Sequence, residues 1–166
     1  MVVAKRAASH AAPLVSIEEV SMLVGQLSSM TTVRLTIVGV DAPLHEAAVS
    51  FLKPGIGLVV ACRGNGLAAG VLSKSDLVRH MATARAELAR VSALMSSPFF
   101  SCTPDDDLHA IWETMTARSL QNVPVLDTGA RPIGVLDIRD AMKALFEQEE
   151  LQERLLANYI AGIGYQ

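Results

Sequence analysis

The sequence predicts a mixed α/β (α+β) fold: two β-α-β-β-α repeats related by pseudo-two-fold symmetry, with helices added at the N- and C-terminal ends. Three observations predict it. The chain repeats itself at an offset of 64 residues. Within each copy, short apolar runs bounded by turn residues alternate with helical patterns. The 166 residues are 51% hydrophobic and 19% charged, with a formal net charge of −3, which excludes disorder.

The repeat pairs Asp41 with Asp105, Leu44 with Leu108, His45 with His109 and Val59 with Val123. It also pairs Gly70-Val71-Leu72 with Gly134-Val135-Leu136 and Asp76 with Asp140. These are eight ungapped identities over residues 41–76, where average composition gives about two by chance.

The elements follow in order. Residues 1–15 read as a flexible segment without the apolar core of a signal peptide. Ser16-Ile17-Glu18-Glu19 has capping-box spacing and starts a leading helix to about Leu27. A short strand is expected over Arg34–Val38. Asp41 opens a helix to about Lys53, where Pro54-Gly55 stops it. Leu58–Ala61 and Leu67–Leu72 are strands joined by the hairpin turn Arg63-Gly64-Asn65-Gly66, and a helix starts near Lys74. The second copy repeats this order. A strand is expected over Phe99–Ser101, then a helix from Asp105-Asp106-Asp107 to about Arg118. Strands at Val123–Leu126 and Pro132–Leu136 flank the turn Asp127-Thr128-Gly129, and a helix runs from Ile138 to about Ile160. These bounds divide the chain into a first repeat with its leading helix (16–90), a second repeat (91–146) and a C-terminal helix and tail (147–166).

Composition narrows the function classes. A membrane helix needs about 18 unbroken apolar residues. The densest run, Pro54–Cys62, is half that, so the mean hydropathy of +0.35 reflects Ala, Val and Leu spread through the chain. Fourteen basic against seventeen acidic residues leave no electrostatic footprint for nucleic acid. Two cysteines, Cys62 and Cys102, suggest buried thiols in a reducing cytoplasm. No P-loop, G-x-S-x-G or supported nucleophile set is present, so no enzyme activity is expected. His45 and His109 lack partners at metal-ligand spacing and read as exposed helix residues. Trp112 reads as helix core or subunit surface.

Two units that each close with Gly-apolar-apolar-x-x-x-Asp resemble the CBS (cystathionine β-synthase-type) domain. The segments are Gly70-Val71-Leu72-Ser73-Lys74-Ser75-Asp76 and Gly134-Val135-Leu136-Asp137-Ile138-Arg139-Asp140. Asn122-Val123-Pro124-Val125-Leu126-Asp127 and the lead-in Val91 to Pro98 fit the same pattern. The first copy departs from it at Gly57-Leu58-Val59-Val60-Ala61, which lacks the usual Pro. The resemblance implies a tandem CBS pair, or Bateman module, over roughly residues 20–146. Such a module is regulatory and binds AMP, ADP, ATP or S-adenosylmethionine between its repeats. It implies that Asp76 and Asp140 hold ribose hydroxyls and that Ser73 contacts phosphate. It further implies that the Asp of one repeat works with strand residues of the other. Phe99, Phe100, Leu120 and Gln121 would then surround the Asp76 site, and Leu35, Thr36, Ile56 and Gly57 the Asp140 site.

The residues themselves suit these roles. A carboxylate accepts two charge-assisted hydrogen bonds from a vicinal diol. Ser73, Lys74 and Ser75 lie at a helix start, where free N–H groups favour anions. Ser73-x-x-Asp76 is equally a capping box, which needs no ligand. At position 137 an Asp replaces the expected Ser or Thr, and a second carboxylate repels phosphate unless Arg139 offsets it. The half-sites are therefore expected to be unequal. The one at Ser73 and Asp76 should tolerate phosphates; the one at Asp137 and Asp140 should prefer an uncharged ribose or stay empty. With the repeats filling the chain, a signal is expected to pass to another protein, through a homodimer. The alternative is a ligand-free interaction and dimerisation module.

Overall fold

Gly-Val-Leu in each copy is the centre of a strand, and the two strands carry the fold. The computed structural model describes residues 21–83 and 89–163. The expected helix start and capping box at Ser16 to Glu19 and the end of the C-terminal tail lie outside that range. A 3-10 turn (Val24–Leu27) leads into α1 (Ser28–Val33), β1 (Ile37–Gly39), α2 (Leu44–Ser50), β2 (Leu58–Cys62), β3 (Ala68–Ser73) and α3 (Lys74–Thr83). The second half has α4 (Val91–Leu94), α5 (Leu108–Ala117), β4 (Asn122–Leu126), β5 (Pro132–Asp137) and α6 (Ile138–Ile163).

The first sheet has order β1-β2-β3, with β1 parallel and β3 antiparallel to β2. The second holds β4 and β5, antiparallel, in the same register: Val125 faces Gly134 as Ala61 faces Gly70. All five residues of β2 are buried, so it reads as a continuous apolar run rather than an alternating one.

Three expected boundaries need correction. The helix expected to end at Leu27 is not helical over residues 21–23, where Leu23 bridges Asp107, and the helical segment instead begins at Val24 and runs to Val33. The strand expected at Arg34 starts at Ile37, because Arg34 and Leu35 donate N–H bonds to Thr31 and Thr32 and close the helix. The strand expected at Phe99–Ser101 is reduced to one parallel bridge, Cys102 to Val125. Phe99 and Phe100 face the cleft between the repeats instead.

The repeats exchange their lead-in segments. Val24 and Gly25 donate to the carbonyls of Asp106 and Pro104 at 3.0 and 2.8 Å, ahead of α5 in the other repeat. In the counterpart contact, Leu44 donates to Ala89 and Val91 to Ala42 at 2.9 and 3.0 Å, ahead of α2. Val24 and Leu27 accordingly pack in the second core, with Leu108, Met115, Val123 and Leu136. Val91 packs in the first core, with Ala47, Val59 and Leu72. A third cluster (Leu58, Val60, Cys62 and Val135) joins the sheets. Burying each such Val or Leu contributes about 1.5–3 kcal/mol. Trp112 packs partly buried against the second core.

The exchange explains both glycines of Gly-Val-Leu. A Cβ on Gly70 would lie 2.7 Å from Met95 Sδ, and one on Gly134 2.7 Å from Thr31 Oγ1. Each strand needs a bare backbone where the other repeat's lead-in crosses it.

Candidate functional site in the cleft between the repeats

β3 and β5 each run into a helix at a cleft of about 930 Å³ between the repeats. On one wall, Ser73 donates from its N–H and Oγ to Asp76 Oδ2 at 2.8 and 2.7 Å. Asp76 N–H returns a bond to Ser73 Oγ at 3.3 Å. This is a reciprocal cap of α3. It leaves Asp76 Oδ1 with one weak partner, Arg79, at 3.4 Å. Lys74 and Ser75 line the same wall and are exposed.

The opposite wall comes from the second repeat: Phe99, Phe100, Leu120 and Gln121. Ser119, with φ of 55°, reverses the chain after α5, and Leu120 N–H closes onto the Met115 carbonyl at 2.8 Å. Gln121 accepts from Ile138 N–H at 2.9 Å, which ties this loop to the start of α6. Ile56 and Gly57, expected at the other half-site, line this cleft. Leu35 and Thr36 line neither this cleft nor the smaller cavity described below.

Two residues of this wall escaped sequence reasoning. Arg118 stacks over the Phe100 ring at 4.9 Å and adds a third cation beside Lys74 and Arg139. Asn122 lies against Gly57, where a Cβ would approach its Nδ2 to 2.5 Å. Its Oδ1 is buried without a protein partner. The Gly in the otherwise apolar run at 57 was the one available signal.

Asp137 ends β5 and is buried at 3% exposure. Arg139 donates to it from its backbone N–H and from Nε and Nη2, at 2.9, 3.0 and 2.9 Å. Burial pushes the Asp137 carboxyl up, but these bonds and the charges of Arg139 and Arg34 outweigh it and hold the group below its ordinary value. Asp137 and Arg139 line the main cleft; Asp140 does not. Asp140 accepts from Arg34 Nε at 2.7 Å and Nη2 at 3.2 Å, beside a separate cavity of about 370 Å³. Asp76 and Asp140, equivalent in the repeat, are thus placed unequally.

This arrangement offers a carboxylate, a helix start, three cations and an apolar wall with two phenyl rings. A CBS domain family model matches residues 24–83 and 91–147. The chain belongs to the CBS domain family. Among solved structures, a CBS-domain protein from Agrobacterium tumefaciens is 28% identical, with a TM-score of 0.65 over 74% of this chain and 98% of its own. A CBS domain pair solved with 5′-methylthioadenosine and S-adenosylmethionine is 17% identical, with a TM-score of 0.65 over 78% and 98%. A CBS domain protein from Pyrobaculum aerophilum, complexed with AMP, is 23% identical, with a TM-score of 0.62 over 68% and 87%. An uncharacterised 17.7 kDa protein from Acidianus ambivalens is 21% identical over 84% of each chain. As a CBS pair, the molecule has the two-repeat α/β architecture predicted from its sequence. Among the described residues, no helix is long and apolar enough to cross a membrane.

Proposed function

We propose that this CBS pair is a non-catalytic regulatory module that binds AMP, ADP, ATP or S-adenosylmethionine in the cleft between its repeats. One observation carries the proposal. The cleft joins the Asp76 carboxylate and the α3 start from one repeat to the Phe99, Phe100 and Leu120 wall of the other. Asp76 would take the ribose diol, Ser73, Lys74 and Arg118 the anionic end, and the phenyl wall the adenine. A ligand held by both repeats favours one relative placement of them, and that shift would be read by a partner protein. Val49 and Leu52 near α2, Val78 and Met81 on α3, and Met142 and Phe146 on α6 are exposed apolar residues that a homodimer would cover. The two buried free thiols suit a cytoplasmic setting.

A thermal-shift series with AMP, ATP and S-adenosylmethionine tests this. A true ligand at 100 times its Kd adds about 2.7 kcal/mol, or roughly 5–10 °C in Tm for a chain of this size. Asp76→Ala is expected to abolish the shift. No shift with any of the three at millimolar concentration defeats the proposal. One observation favours a second role, as a ligand-free interaction module. Asp76 Oδ2 and Asp140 are already satisfied, by Ser73 and Arg34.

A further inference from the structure

The repeat offset places Arg34 opposite Pro98, Pro54 opposite Arg118, Gly55 opposite Ser119 and Asp140 opposite Asp76. Pro98, Arg118, Ser119 and Asp76 line the main cleft, and their four counterparts line the smaller cavity. The second half-site is therefore divided: its Gly57, Asp137 and Arg139 line the main cleft of about 930 Å³, Gly55 lines both cavities, and its carboxylate, Asp140, opens with Arg34 into the smaller one of about 370 Å³. The difference lies in what faces the carboxylate. Pro98 offers Asp76 no hydrogen-bond donor. Arg34, at the end of α1, takes both Asp140 oxygens at 2.7 and 3.2 Å and donates Nη1 to the Gly55 carbonyl at 2.9 Å. The pair is largely sheltered, with side chains 20% and 19% exposed. A guanidinium forked on a carboxylate fills the positions a ribose diol would use.

We infer that Arg34 is a built-in plug of the second half-site, so that the chain takes one adenosine ligand, at Asp76, and none at Asp140. This rests on the adenosine-binding role proposed above. A diol entering the smaller cavity has to break a sheltered bidentate pair and leave the guanidinium without its anion.

Equilibrium dialysis of the full chain with AMP, and in parallel with S-adenosylmethionine, measures the stoichiometry. The wild type is expected to saturate at one ligand per chain, lost in Asp76→Ala and retained in Asp140→Asn. Arg34→Ala is expected to take a second, which Arg34→Ala combined with Asp140→Ala loses again. Arg34→Gln keeps most of the side chain and serves if the alanine variant does not fold. Two ligands per wild-type chain, or a single ligand lost in Asp140→Asn, overturns the plug. One ligand in both the wild type and a folded Arg34 variant also overturns it, while leaving the Asp76 site standing. No binding by any form overturns the adenosine-binding role and the plug together.

Discussion

Gly134→Ala tests the exchange of lead-in segments. On strand propensity alone the change should be neutral or mildly stabilising, since Gly in a strand costs about 0.5–1 kcal/mol relative to Ala. The structure says the opposite. The new methyl would stand 2.7 Å from Thr31 Oγ1, 2.8 Å from Thr31 Cβ and 3.1 Å from its backbone carbon. Thr31 is buried, and its β-branched side chain has little rotamer freedom to retreat. So α1 itself must shift. Overpacking of this kind costs about 1–3 kcal/mol, which is roughly a 2–12 °C fall in Tm. Gly70→Ala makes a milder clash, because the closest atoms, Met95 Sδ and Cγ at 2.7 and 2.8 Å, belong to a flexible unbranched side chain, and the one backbone neighbour, the Ser96 carbonyl oxygen, is at 3.0 Å. Gly64→Ala meets nothing within 4 Å and is expected to stay within about 0.5 kcal/mol. Thermal denaturation of the three variants should rank them in that order. A Gly134→Ala protein as stable as wild type would mean that α1 does not cross β5.

Three further outcomes are expected. Asp107→Ala should cost about 0.5–2 kcal/mol by thermal melt, since Asp107 caps α5 by accepting from Ala110 N–H at 2.8 Å and also receives a bond from Ser21. Burial pushes the Cys102 thiol up to about 12, helped by the Asp106 charge, and burial raises Cys62 as well. At pH 8 only on the order of one Cys102 in ten thousand is then thiolate, so a thiol reagent should label these cysteines only on unfolding. The Asp137 carboxyl is held below its ordinary 3.8. Its stabilisation is therefore complete above that value and lost as pH falls through the lower folded one. The Tm gap between wild type and Asp137→Asn should be constant from pH 8 to 5 and close below about pH 4.

The units were legible because each local signal agreed with the next. Gly-Val-Leu lies in β3 and β5, Ile138 starts α6, and Asp107 caps α5. The identity of packing partners was not legible. The pattern at Val24 and Leu27 marks burial, but nothing local says that the burial is in the second core rather than the first. Phe99 and Phe100 carry strand propensity, and tertiary placement at the cleft overrides it. Ser73 and Asp76 were found because cap and anion site share one spacing. Arg118 and Asn122 were missed because each acts alone, through a contact with Phe100 or Gly57 that no spacing encodes.

Asp137 and Arg34 are linked by charge, at 3.9 Å. In the first repeat the residue before the helix is Ser73, a neutral donor that leaves Asp76 as the single carboxylate there. In the second, Asp137 brings a second negative charge to the same turn as Asp140, at 3% exposure, where an unneutralised pair is costly. Arg139 bonds Asp137 from its own turn but is itself exposed. Arg34 bonds Asp140 and lies 3.9 Å from Asp137, so it serves both. The Asp137 charge is met chiefly by Arg139, with Arg34 a lesser contributor at 3.9 Å, while Arg34 itself is forked on Asp140. Restoring a hydroxyl, as in Asp137→Ser, would remove that charge but leave Arg34 on Asp140. The plug proposed above is therefore Arg34 and not Asp137.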